Sequence, residues 1–177
     1  MATYHPRALL PDDQPAAWSA PVPITYDRRD VLLYAVGIGC RDLRFTFEGH
    51  PGFAVFPTFA IRWGGAGIVL DANALPPSPG PFVIDAERCL EMLAPLPLTG
   101  TVQVRSRLLA VHPRGKGSAF LEFESEVTDA TGQACVRMVS GSFRRGVAQL
   151  GDIALFEGAG QSRSIRIVRP ERAPDLE

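Results

Sequence analysis

The clearest pattern in the chain lies past its midpoint, in AFLEFESEVTDA, where Ala119, Leu121, Phe123 and Val127 alternate with Glu122, Glu124 and Glu126. A period of two puts successive side chains on opposite faces, so this run predicts a strand with one face on a core and the other in water. TVQVRSRLLAVH, from Thr101, precedes it across the turn PRGKGS, and ACVRMVSGSFRRG, from Ala134, follows it across TGQ. Long strands joined by short glycine-bearing turns predict an antiparallel meander. The earlier run FVIDAERCLEMLAPLP adds a strand that Pro95 and Pro97 bring to an end.

The first part of the chain has a different period. In TYDRRDVLLYAVGIG, Val31, Leu32, Tyr34, Ala35 and Ile38 recur at helical spacing, Thr25 and Asp27 are candidate caps, and Gly37 and Gly39 end the helix. Pro57 suits the first turn of a second, buried helical segment, PTFAIRWGGAGIVL, weakened at Gly64, Gly65 and Gly67. ALPPSPGP, Ala74 to Pro81, predicts a surface loop. Residues 1–21 read as an extended arm, with Trp18 either anchoring it or lying in a flexible tail; residues 22–150 read as one domain and 151–177 as a tail or linker. Helices followed by a long antiparallel sheet make an α+β domain. The apolar face of that sheet needs a cover, and the segment near residues 57–70 is the candidate, which gives a hot-dog arrangement: a curved sheet wrapped round one central helix.

Composition narrows the function classes. The 177 residues include 18 basic and 19 acidic ones for a net charge of −1, so no overall field draws nucleic acid or an anionic membrane. Cys40, Cys89 and Cys135 are odd in number and too widely spaced for a zinc site or a disulfide framework, which predicts a reduced, cytoplasmic protein without a metal. No apolar run approaches the roughly 18 residues of a membrane span, and the amino terminus lacks a signal-peptide core.

Two stretches carry a resemblance. RRDVLLYAVGIGCRDLRFTFEGHPGFAVFPTFAI, from Arg28, is similar to the amino-terminal half of the MaoC-like, type 2 enoyl-CoA hydratases, and ERCLEMLAPLPLTGTVQVRSRLLAVHPRGKGSAFLEFESEVTDATGQ, from Glu87, continues it. The resemblance implies a hot-dog fold acting on acyl thioesters of coenzyme A or acyl-carrier protein, with no further cofactor. It also implies that catalysis belongs to a second repeat bearing D-x-N-P-[LIV]-H, whose aspartate and histidine activate a water. Laid on that motif from Tyr34, this chain has Gly39 at the aspartate position, Arg44 at the histidine position and Asp42 at the proline. Glycine has no side chain and a guanidinium stays protonated, so neither is a base. Where the family often has H-G-E-Q, this chain has Asp85, Ala86, Glu87 and Arg88, and RPERAPDLE resembles the linker before the catalytic repeat.

Asp42 and His50 remain as candidate catalytic groups, against an arginine-paired loop carboxylate and a structural turn histidine. Glu48 is a candidate base or a partner for Arg44. Phe53, Phe56, Phe59, Ile61 and Trp63 are candidates for an acyl tunnel or for core. Gly64, Gly65 and Gly67 would put helix-terminal amides near a thioester carbonyl or allow close packing. Arg105, Arg107, Arg114 and Lys116 would meet coenzyme A phosphates or lie on a solvated face. The expected partner is a second hot-dog chain in a homodimer or heterodimer. Three functions follow in order: a substrate-binding subunit of a hydratase or dehydratase whose partner supplies Asp and His; a stand-alone homodimeric thioesterase, dehydratase or cyclase using Asp42, Glu48, Asp71 or Asp85; and a non-enzymatic acyl-binding module.

Overall fold

A computed structural model of the chain describes residues 17–68, 83–114 and 118–145. Five strands form one antiparallel sheet: β1 (Val22–Tyr26), β2 (Val83–Met92), β3 (Gly100–Arg114), β4 (Ser118–Thr128) and β5 (Ala134–Arg145), in the order β1-β3-β4-β5-β2. Among the described residues three short helices precede β2: α1 (Arg28–Gly37), α2 (Leu43–Thr46) and α3 (Pro57–Trp63), the last a 3-10 helix. The meander of β3, β4 and β5 is the one the alternation predicts, and β2 joins its far edge.

Local chemistry fixes α1 at both ends. Asp27 accepts from the Asp30 amide while the Asp30 carboxylate accepts from the Asp27 amide, a reciprocal capping box. Thr25 lies instead in β1, where its hydroxyl meets that of Thr101 at 2.8 Å. At the other end Gly39 takes φ +75°, its amide bonds to the Val36 carbonyl and the Cys40 amide to that of Ala35. This paired closure needs a left-handed residue, which glycine adopts without strain.

α3 lies against one face of the sheet, the inner face. Val102, Val104, Val127, Val136 and Met138 are buried there with Phe59, Ala60 and Trp63 of α3 and Tyr26 of β1. Phe59 sits edge-on to Tyr26, Tyr34 and Trp63 with ring centroids 5.1 to 5.5 Å apart. Its full burial contributes about 1.5–3 kcal/mol. The Tyr34 hydroxyl, 2.9 Å from the Thr58 carbonyl, ties α1 to α3. Pro57 opens α3 as expected, but the helix ends at Trp63 rather than running on to residue 70. Gly65 and Gly67 have φ of +81° and +79°, and a side chain on Gly67 would meet Ser19, Ala20 and Val22 within 2.7 to 3.1 Å. The glycines therefore turn the chain and let it pass close over β1.

The outer face departs from the expectation of water. Glu122 is 2% exposed and Glu124 7% exposed. Each buried carboxylate has a cationic or histidine partner: His112 Nε2 lies 2.6 Å from Glu122, Arg107 reaches Glu124 at 2.5 Å with Arg137 at 3.4 Å, and Arg105 reaches Glu126 at 2.7 Å. Pairing replaces the hydration that burial removes. The Trp18 ring lies 4.7 and 4.5 Å from the Arg105 and Arg107 guanidinium carbons, so this part of the arm is anchored. Residues 1–16, the predicted loop of Ala74 to Pro81 and the tail at 151–177 lie outside the described residues.

Candidate functional site

The loop after α1 is where the catalytic motif would fall, and its Asp42 and Arg44 are already engaged with each other. Asp42 caps α2 by accepting from the Arg44 amide at 2.9 Å, and its other oxygen takes the Arg44 guanidinium at 2.6 Å. The Arg44 guanidinium holds the Asp42 carboxyl below the usual carboxylate range, with the Arg44 amide acting in the same direction. An ionised carboxylate held by its own neighbour is a poor proton acceptor. His50 Nδ1 accepts from the Gly52 amide at 3.0 Å inside a turn. Arg44 pairs with Asp42, and Glu48 is exposed.

A different place offers room. A cavity of about 250 Å³ opens where the chain leaves α3 and faces β4, β5 and β2, lined by Gly64, Gly65, Ile68, Arg88, Phe123, Ser140 and Ser142. Pairing register explains the strand contribution: Phe123 lies opposite Ser140, and Ser140 opposite Arg88, so all three share the inner face. A bulge at Ala86 brings Asp85, opposite Ser142, onto that face as well, and Asp85 pairs with Arg88 at 2.5 Å. Ser140 is 7% exposed and its hydroxyl oxygen has no hydrogen-bond partner among the described residues. A Cβ on Gly64 would come within 3.1 Å of that oxygen, so a residue without a side chain packs against the hydroxyl without crowding it.

Gly64 and Gly65 thus line the cavity, but at the carboxyl end of α3 rather than at a helix amino end. The Gly65 amide is used by the Ser125 hydroxyl at 3.0 Å, which in turn meets Ser106 at 2.8 Å, so it is not free for an oxyanion. Phe59 and Trp63 are buried in the core, with Phe53 packed against it and Phe56 edge-on to Phe45 and tilted against Tyr34. Arg105 and Arg107 lie on the outer face, bound to glutamates. The side chain of Arg114, together with Lys116 and Asp71, lies outside the described residues. Sequence reading missed Ser140, Ser142, Phe123 and Ile68. The signal was present in MVSGS, which alternates Met138, Ser140 and Ser142 on what should be an apolar face. Among the described residues no three His, Cys, Asp or Glu side chains converge as metal ligands, and no helix is long and apolar enough to cross a membrane.

A five-stranded antiparallel sheet curved round a short buried helix is a hot-dog fold. The model of the MFE-2 hydratase 2 N-terminal domain matches residues 24–146. The chain belongs to that family, within the MaoC-like hydratases and dehydratases. It is 32% identical over 165 residues to a protein of Ajellomyces capsulatus named "Probable dehydratase", covering 81% of this chain and 44% of that one. It is 27% identical over 163 residues to "Probable enoyl-CoA hydratase 2" of Dictyostelium discoideum, covering 86% and 53%. The crystal structure of a MaoC-like dehydratase from Phytophthora capsici superposes with a TM-score of 0.69 at 28% identity, covering 90% of this chain and 56% of that one. The chain spans about half the length of these curated relatives.

Proposed function

We propose that this chain is the substrate-holding half of a hydratase or dehydratase for enoyl or 3-hydroxyacyl thioesters, and that a second hot-dog chain or domain supplies the catalytic aspartate and histidine. The observation that carries the reading is the state of the motif loop. Its aspartate position is a helix-closing glycine at φ +75°, and its histidine position is an arginine locked to Asp42. General acid–base chemistry needs a titratable group free to reach a water, and neither motif position offers one.

The place for the second chain is supported by the sheet edge. Among the described residues β2 has a strand neighbour on one side only, and Ile84, Met92 and Leu93 are exposed at or beside it. An open edge with apolar side chains favours strand pairing. The thioester carrier on this reading is coenzyme A or acyl-carrier protein, with no other cofactor. The free cysteines Cys40, Cys89 and Cys135 support a reducing compartment such as the cytoplasm. The thioesterase alternative needs an unencumbered carboxylate near the cavity, whereas Asp42 is held by Arg44 and Asp85 by Arg88.

Purified alone, the chain is expected to bind a 2-enoyl thioester without hydrating it, and to turn it over only when a chain carrying D-x-N-P-[LIV]-H is added. Robust hydration of crotonyl-CoA or a longer enoyl-CoA by the pure chain would overturn the reading.

A further inference from the structure

The cavity wall has a chemistry that a hydrocarbon chain would not need. Phe123 and Ile68 give it apolar surface, yet Ser140, also in the wall, carries a hydroxyl oxygen that is enclosed and without a partner among the described residues. A buried polar group left unpaired is destabilising, and native structures rarely keep one unless a ligand, ion or water completes it. Ser142 stands two residues along the same strand face, and Arg88 lies across the ladder from Ser140. The Arg88 charge on the wall is already matched by Asp85 at 2.5 Å, from a carboxylate that lies outside the lining. An anionic group reaching that guanidinium would have to compete with the Asp85 carboxylate already bound to it. A neutral oxygen meets no such opposition, and a serine hydroxyl can donate to a carbonyl or exchange donor and acceptor roles with another hydroxyl.

We propose that the cavity selects acyl chains bearing a neutral oxygen substituent, a hydroxyl or keto group beyond C3, and that Ser140 Oγ is the group that recognises it. The assignment rests on the reading of this chain as an acyl-thioester holder and adds the substrate class. A plain alkyl chain fills the volume but leaves Ser140 unsatisfied. A chain with an oxygen at the right depth fills the volume and completes the hydrogen bond. Ser140 is then a specificity-determining residue, because a site built around a buried polar group discriminates against the ligand that lacks its complement.

The test is isothermal titration of the full chain with CoA thioesters of one length: the unsubstituted 2-enoyl chain, a series with a hydroxyl or keto oxygen moved along the chain beyond C3, and the chain ending in a carboxylate. One member of the oxygenated series is expected to bind up to about tenfold more tightly than the unsubstituted chain, the range of one well-made hydrogen bond. Ser140→Ala should abolish that preference by bringing the affinity for the oxygenated chain down to that for the unsubstituted one. Equal binding of the unsubstituted chain and every oxygenated one, or equal weakening of both by S140A, would overturn the inference while leaving the acyl-holding reading intact. Tightest binding of the carboxylate-tipped chain, insensitive to S140A, would overturn it in favour of an anion site at Arg88. Failure of every thioester to bind would overturn the acyl-holding reading and the inference with it.

Discussion

The two faces of one sheet handle polar groups in opposite ways. On the outer face, Glu122, Glu124 and Glu126 are drawn in from water, and each meets His112, Arg107 with Arg137, or Arg105. On the inner face, between an apolar core and the Arg88–Asp85 pair, the buried hydroxyl of Ser140 is left without a partner among the described residues, beside an open cavity. The more highly charged face is the chemically quieter one. Satisfied charges make a scaffold, whereas an unsatisfied neutral group next to free volume marks where a ligand belongs.

Breaking the outer face should have the largest effect. Glu122→Ala strands the His112 ring nitrogen in a buried setting, and a buried hydrogen-bonding group left without its partner is expected to cost about 1–3 kcal/mol, read from the urea midpoint. Glu122→Gln should lose less, because it keeps a hydrogen-bonding oxygen for the imidazole. If E122A behaves like an ordinary surface substitution, the outer face is not a paired scaffold.

The inner face should resist charge instead. The Tyr26 phenol, buried and bonded to the Pro97 carbonyl at 2.7 Å, is pushed up to about 12, chiefly by burial and secondarily by Cys135. A folded-state pKa above the unfolded value favours folding at full strength below about pH 10. That contribution is lost as pH rises through about 12, so the protein should destabilise over this window. Tyr26→Phe should flatten that alkaline loss in unfolding melts, and an unchanged alkaline profile would break the contrast.

Ser140→Ala should move stability little, leaving it unchanged or raised by up to about 1 kcal/mol, since it removes a hydroxyl that is desolvated and unpaired. A loss as large as that of E122A would mean that Ser140 is structural. Smallest of all is the motif loop. The Asp42 carboxyl is held below its ordinary value, so its contribution is present above the unfolded pKa, near 3.8, and lost as pH falls through the lower folded value. Asp42→Asn should therefore remove a small contribution at neutral pH, flatten the loss of stability below about pH 4 and leave ligand affinity in place.

The elements most legible in the sequence are those fixed locally. The capping box at Asp27 and the closing glycine at Gly39 are readable because every group involved lies within a turn of α1. β1 was hidden, because Val22–Tyr26 becomes a strand only through its ladder with Gly100–Val104. Alternation located β4 and told its faces apart, but it could not say that the glutamate face would be buried, since that depends on Arg105, Arg107, Arg137 and His112 arriving from β3 and β5. The vacant motif at Gly39 and Arg44 was visible in the sequence. The cavity was not: Arg88 reaches the Ser140 face together with Asp85 only because a bulge at Ala86 changes which side of β2 they share. No periodicity in DAERCLE announces that bulge.

The contrast between the faces is tested most directly by a backbone-amide NMR titration of the chain with an enoyl-CoA. The predicted result is a set of shift changes centred on Gly64, Gly65, Phe123, Ser140 and Ser142, with Arg105, Glu124, Arg137 and the Asp42–Arg44 loop unmoved. Changes centred on the outer face or on that loop, with the cavity residues silent, would contradict the account.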